Sequence, residues 1–355
     1  MKEINLFSPL KIRGMSLRNR IVMSPMQQYS SENGKVGNWH YVHLGSRAVG
    51  GAALIITECT AVSKEGMNTP EDAGLWNTEQ MEAWKPIVTF CQQNGSKIAV
   101  QLWHSGGKGS HSHKNGHFKY IGPEQGGRIT KSASPFKLDE HHFSVALTLE
   151  EILSIKSDFI HSAKLAVEAG FDCLEIHAGH GYIFHQFYSA LVNHRDDLYG
   201  GSFENRIRLL VETIVGIREA VPEDMPILVR ISATDYSSEE KGWNIEDSVK
   251  LSEHLMHIGV DVITASGGGF VQVEKSRVFP GYQLPMAEEI KRTGILVGAV
   301  GMITDAEQAN AIIKNGNADL AIIGREYLRD PYFAIHAAEA LKLELHVPEQ
   351  YSRAY

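Results

Sequence analysis

Eight short runs of apolar, largely β-branched residues recur along the chain, at 21–26, 53–58, 97–102, 172–177, 226–231, 260–265, 295–300 and 319–323. Between them lie amphipathic stretches with helical spacing, among them 79–94, 149–169, 203–220, 245–258 and 305–315. Strand and helix patterns that alternate in this way build βαβ units, whose parallel strands share one sheet covered by the helices. Eight such units in 355 residues are what a closed (β/α)8 TIM barrel needs. An open doubly wound sheet would carry a glycine-rich dinucleotide fingerprint after its first strand, and none follows residue 26. The expectation is an α/β chain with one TIM-barrel domain over residues 1–355.

One segment breaks the rhythm. Residues 103–147 are rich in Gly, Ser and His and show no helical period, so they read as a capping excursion after strand three, over the C-terminal mouth of the barrel. It holds His104, His111, His113, His117, His141 and His142. Their irregular spacing, with no cysteine among them, argues for a lid or hairpin and against a metal site.

The charge balance narrows the ligand class. A net charge of -8 with scattered Lys and Arg leaves no basic footprint for nucleic acid or anionic membrane, which makes a small soluble molecule the expected partner. Cys59, Cys91 and Cys173 are too far apart for a Cys-x-x-Cys site or a disulfide framework, as expected in a reducing cytoplasm. Residues 1–5 lack a signal-peptide core, and no apolar run approaches the roughly 20 residues of a membrane span. A soluble cytoplasmic protein follows as the expectation.

In a TIM barrel, chemistry gathers where the strands end. Polar residues fall there strand after strand: Gln27 to Tyr29, Glu58 to Thr60, Gln101 with Trp103 and His104, and then His177, His180 and Tyr182. Arg230, Ser266 to Gly269, Gly301, and Gly324 with Arg325 complete the ring. Strand alternation places Glu175 and Arg230 inside the barrel, where they can pair; a structural ion pair and a ligand-binding role are both open for them. Glycines ending strands seven and eight, followed by Arg325, suit a phosphate site, although glycine also ends strands for steric reasons. His177 and His180 have three readings: metal ligands, a structural pair, or donors to a substrate oxygen. No third zinc ligand follows nearby, which favours the donors. Tyr182 is a candidate proton donor, its phenol having an ordinary pKa near 10.

These residues resemble a known family. Leu6 to Leu10, Asn19 to Met26, Gln101 to His104, Glu175 to Tyr182 and Asn193 to Arg195 with Asp197, Tyr199 to Ser202 and Glu204 to Arg206 match it in register. So do Val229 to Ser232, Phe279 to Tyr282, Gly324 to Glu326 and Gln350 to Arg353. The chain is similar to the Old Yellow Enzyme family of NADH:flavin oxidoreductases, most closely to its bacterial, thermophilic-like branch, over nearly its whole length.

The resemblance implies an ene-reductase with FMN as cofactor and NAD(P)H as reductant. It implies ping-pong hydride transfer, at one shared site, to the electron-poor C=C bond of an α,β-unsaturated carbonyl or nitro compound. It puts Ser24, Pro25, Met26, Gln27, Cys59, Gln101, Arg230, Gly268, Gly301, Gly324 and Arg325 on the cofactor. It makes Tyr182 the proton donor and His177 and His180 the pair that binds the substrate oxygen, with Tyr29, Trp103 and Lys108 also on the substrate. It implies a homodimer or homotetramer in which Arg353 reaches the neighbouring active site. Two positions depart from the branch: Gln27 stands where it usually has a cysteine, and Trp103 where it has a smaller residue. Relatives with an iron–sulfur cluster and added nucleotide domains need cysteines and length that this chain lacks. A general quinone or nitro reductase, or a catalytically idle FMN-binding barrel, are the alternative readings; the His177, His180, Tyr182 set argues against the idle one.

Overall fold

The computed structural model describes residues 3–238, 242–271, 273–344 and 347–355. Eight parallel strands close into a ring: Ile21–Met23, Leu54–Ala61, Lys97–Trp103, Cys173–Ala178, Ile227–Ser232, Val262–Ser266, Leu296–Ala299 and Leu320–Ile323. The last strand pairs with the first, Ala321 opposite Ile21 and Ile323 opposite Met23, which closes the barrel. It is the expected (β/α)8 fold. Five helices begin where a side chain accepts one of the first free N–H groups: Asn77 from Gln80, Thr148 from Glu151, Ser202 from Asn205, Asn244 from Asp247 and Asp305 from Gln308. Gly170, at φ +88°, ends the helix Leu149–Ala169 in the left-handed shape that glycine adopts freely.

Strand alternation splits the barrel into an outer and an inner face. Outward residues such as Ile55, Ile98, Val100, Ile176, Val229, Ile263 and Val297 pack under the helices in the main core. The inner face changes character along its length. Its lower half is apolar, with Val22, Leu54, Ile56, Ala99, Cys173, Leu228, Val262 and Leu320 in one cluster. The antiparallel hairpin Leu10–Ile12 and Met15–Leu17 closes that end, adding Ile12, Met15 and Leu17 to the same cluster. Its upper half is polar and buried: Gln101, Glu175, His177, Arg230 and Thr264. A dry floor beneath a ring of polar groups places the site at the C-terminal end of the strands.

The segment after Trp103 is not irregular. It contains the hairpin His111–Lys114 and His117–Tyr120, then the short strands Thr130–Ser132, Phe136–Lys137 and Phe143–Ala146 in a sheet of their own. Trp103 itself ends the third barrel strand. Among the described residues no group of His, Cys, Asp and Glu is placed to hold a metal ion. Of the segment's histidines, His111 bonds Asn68 and packs edge-on against His142, His142 bonds Thr130, and His113 stacks on Tyr29. All three cysteines are free. Among the described residues no helix is long and apolar enough to cross a membrane.

Candidate active site

A belt of side chains crosses the upper barrel. The Cys59 thiol donates to Gln101 Oε1 at 3.0 Å, Gln101 Nε2 donates to Glu175 Oε1 at 2.7 Å, and Thr264 Oγ1 donates to Glu175 Oε2 at 2.9 Å. Cys59 reaches this face because of a register shift between Ile56, opposite Ala99, and Cys59, opposite Gln101. Without that extra residue, alternation from Leu54 and Ile56 would turn Cys59 outward. Burial pushes the Cys59 thiol up, so it stays protonated as a donor. Burial also raises the Glu175 carboxyl, with the Arg230 guanidinium opposing it. The two attract each other through space without forming an ion pair: Glu175 spends its oxygens on Gln101 and Thr264. Arg230 instead donates from Nη1 to Ser24 Oγ at 3.0 Å, and its buried Nε has no partner.

That orphaned donor belongs to a cavity of about 440 Å³ lined by Ser24, Met26, His180, Arg230, Gly301, Gly324 and Arg325, among others. Gly301, at φ +128°, needs the freedom of glycine. Among the described residues no hydrogen bond or ion pair engages Arg325. Pro25 lies between Ser24 and Met26, half-buried. The amide N–H₂ of Gln27 is engaged: its Nε2 donates to the buried Asp72 at 3.0 Å, leaving Oε1 buried without a partner. Gly268 is outside this lining; its N–H donates to Thr234 O and its carbonyl accepts from Ser232 Oγ, so it shapes the sixth-strand loop.

Beside the cavity stands the histidine pair. Gly179 N–H donates to His177 Nδ1 at 3.2 Å, so the ring proton of neutral His177 sits on Nε2, 3.2 Å from His180 Nδ1. The proton of His180 is then on Nε2, facing Ser266 Oγ at 2.8 Å. Burial, reinforced by Arg230, holds both imidazoles well below the usual histidine range, so both remain neutral N–H donors. Tyr182 packs edge-on against His177 and against Trp103, each with ring centroids 5.1 Å apart. Burial pushes its phenol up, so it keeps its proton. Lys108 Nζ lies 5.2 Å from the Tyr182 ring centre. Tyr29 stacks on His113 of the excursion, centroids 3.9 Å apart, and is only half-buried. Arg353 is exposed and apart from these residues; nearby, Tyr351 Oη meets Tyr332 Oη at 3.1 Å.

The model of the NADH:flavin oxidoreductase / NADH oxidase family matches residues 5–344. The chain belongs to that family. It is 45% identical over 353 residues to an NADPH dehydrogenase of Listeria innocua, and 42% identical over 353 residues to one of Bacillus subtilis, covering 99% of both chains each time. Among solved structures it is similar to morphinone reductase in complex with tetrahydroNAD, at a TM-score of 0.77 and 24% identity, over 97% of this chain and 92% of that one. An old yellow enzyme homologue from Zymomonas mobilis gives a TM-score of 0.77 and 24% identity over 96% and 94%. These two likenesses show the fold. Membership makes the chain an NAD(P)H-dependent flavin oxidoreductase with FMN as its flavin.

The residues present fit such a cofactor. An orphaned buried guanidinium N–H on Arg230, the unengaged Arg325 beside Gly324, and the glycine at 301 supply donors and room for an electron-rich ring edge and an anionic phosphate. Sequence reasoning placed Glu58 at a strand end without a role and missed the other supports around these residues. Buried Glu58 accepts from Gln28 N at 2.9 Å and pairs with His40 Nε2 at 2.9 Å, and so fixes the loop after the first strand. Asp72 accepts from Gln27, Thr69 and Asn68, and burial raises its carboxyl to about 6. His185 pairs with Asp235 under the fourth-strand loop. Asp235 lies five residues beyond Arg230, and a search continued past that strand end would have found it.

Proposed function

We propose that this oxidoreductase is an ene-reductase, one barrel domain over residues 1–355, that reduces the C=C bond of α,β-unsaturated carbonyl or nitro compounds in a ping-pong cycle. FMN, when bound, would supply the hydride chemistry that links NAD(P)H to the alkene. Ser24, Pro25, Met26, Cys59, Gln101, Arg230, Gly301, Gly324 and Arg325 would hold it. Gln27 would meet it with a carbonyl oxygen, because its amide N–H₂ is engaged by Asp72.

His177 and His180 bind the substrate oxygen, the Nε2–H of His177 turning to it from His180 Nδ1. An oxygen entering the cavity takes the Nε2–H of His180 from Ser266 Oγ, and neutral donors in a dry site polarise the conjugated double bond. Tyr182 then delivers its proton to the α-carbon. The contact of Tyr182 with His177 carries this reading, since it puts a protonated phenol beside two neutral N–H donors. Trp103 and Tyr29 bound the substrate space and exclude water.

An anaerobic two-step spectrum tests the proposal. One equivalent of NADPH or NADH bleaches the flavin colour, and 2-cyclohexenone is expected to restore it. Colour that returns only with a quinone or nitro compound overturns the alkene reading in favour of a general flavin reductase, and a failure to bleach at all supports an idle carrier.

Arg353 is assigned to the active site of a second copy, in a homodimer or a homotetramer. Its exposure leaves it free for such a contact. Arg353→Ala is expected to raise the KM for enone, and sedimentation is expected to show at least a dimer; a monomer, or unchanged kinetics, overturns this assignment.

A further inference from the structure

The fourth barrel strand ends with His177 and the loop after it carries His180 and Tyr182, and that loop holds a backbone shape that ordinary residues avoid. His180 has φ +54° and Gly181 φ +75°. A side chain disfavours the left-handed region, so the surroundings must enforce it.

The enforcement is visible group by group. His180 N–H donates to Ser232 Oγ at 2.7 Å, and Gly181 N–H donates to His185 Nδ1 at 2.8 Å. Gln186 Nε2 donates to Gly181 O at 2.7 Å. Lys108 Nζ donates to His180 O at 2.9 Å and to Gly269 O at 3.1 Å, tying this turn to the loop after the sixth strand. The two loops touch: a Cβ on Gly269 would fall 2.3 Å from Gly181 N.

His185 and Asp235 are both fully buried, with Nε2 2.7 Å from Oδ1. The other carboxylate oxygen accepts from Ser189 Oγ at 2.6 Å and Trp243 N at 2.8 Å. Three donors converge on one carboxylate, which matches the acceptor capacity of an ionised Asp. Because His185 Nδ1 accepts from Gly181, its ring proton is on Nε2, and Asp235 holds it there. Asp235 thereby selects the one neutral tautomer that can accept from the turn.

We propose that Asp235, acting through His185, and Lys108 from the other side are positioning residues that clamp the His180–Gly181 turn and so set where the two imidazole donors and the Tyr182 phenol stand. The clamp rests on the roles given above to His177, His180 and Tyr182. It gives Lys108 a task that the sequence resemblance did not: its amine is spent on two backbone carbonyls rather than aimed at substrate.

Asp235→Asn is the discriminating change. An amide offers one acceptor oxygen to three donors. Turned to serve Ser189 and Trp243, it points its N–H₂ at His185 Nε2, moves the ring proton to Nδ1, and sets two donors against each other at Gly181. The holoprotein variant is expected to lose hydrogen-exchange protection at residues 179–182 by about tenfold, with the other strands unchanged. Reoxidation by 2-cyclohexenone is expected to fall about 100-fold while bleaching by NADPH stays within about twofold. Lys108→Met, a milder change should Asp235→Asn fail to fold, is expected to shift both readouts in the same direction, and Lys108→Arg to restore most of the loss. Unchanged exchange at the turn overturns the clamp, as does faster exchange with an undiminished enone step. An altered enone KM in Lys108→Met without any change in exchange makes Lys108 a substrate contact instead, which also overturns its part. Failure of the unmodified protein to react with enone is a separate result: it sinks the proposed function, and the exchange measurement still decides whether the pair holds the turn.

Discussion

Tyr182 shows how much a single residue owes to its surroundings. Burial keeps its phenol protonated, and its ring is pinned edge-on between Trp103 and His177. Tyr182→Phe preserves that packing and removes only the proton. Stopped-flow absorbance is expected to show enone reduction slowed by roughly 10²–10⁴-fold, the range for a positioned general acid, with flavin bleaching by NADPH nearly unaffected. Equal slowing of both steps would contradict the role. The identity of Tyr182, His177 and His180 as the polar cluster of strand four was legible in the sequence, because the strand pattern and the rule that sites sit at strand ends locate it. The protonation of the pair was not. It follows from Gly179 N–H meeting His177 Nδ1, a contact between a side chain and a backbone group two residues away. The Glu175 and Arg230 pairing expected from alternation was half legible: both side chains do point inward, but Gln101 and Thr264 reach the carboxylate first.

At the scale of elements, the barrel depends on a hairpin that precedes it. Ile12, 1% exposed, plugs the apolar lower half of the barrel together with Met15 and Leu17. Ile12→Ala is expected to cost about 2–5 kcal/mol, read as a lower urea midpoint with an unchanged slope. A loss under about 0.5 kcal/mol would mean that the hairpin is peripheral. The strands and most helices could be read from hydrophobic period, since a parallel strand buried on both faces must be continuously apolar. The register shift in strand two could not. It depends on pairing with strand three, and it alone turns Cys59 toward Gln101. The short strands of the excursion were hidden for a related reason: three of them are only two to four residues long and pair with each other rather than with the barrel, so they leave no period to detect.

At the scale of the molecule, buried histidines set the response to acid. Burial holds His43 and His104 down at about 3. In the unfolded chain each would take up a proton below about 6.5, so the unfolded state gains stability from protons that the fold refuses. Stability is therefore present above that pH and is lost as pH falls toward 3, by up to about 1.4 kcal/mol per pH unit for each histidine. Asp72, raised to about 6, acts in the opposite sense, destabilising the fold as pH rises through the interval between the ordinary carboxylate value and 6. Two histidines outweigh one carboxylate. Thermal melts from pH 7 down to 4 are expected to show a falling Tm, and a flat or rising Tm would show that these histidines are not held neutral.

Hydrophobic period determined the barrel, and residue identity at the strand ends determined the flavin family, because both are written locally along the chain and need no knowledge of partners. Only the tertiary structure decided which hydrogen bonds those residues make: that Asp72 takes the amide of Gln27, that Glu175 answers Gln101 and Thr264, and that Asp235 fixes the tautomer of His185. Each joins residues about 45 to 90 positions apart in the chain, and in a buried site a donor is satisfied by whichever acceptor the packing brings within 3 Å. Sequence spacing carries no record of that competition.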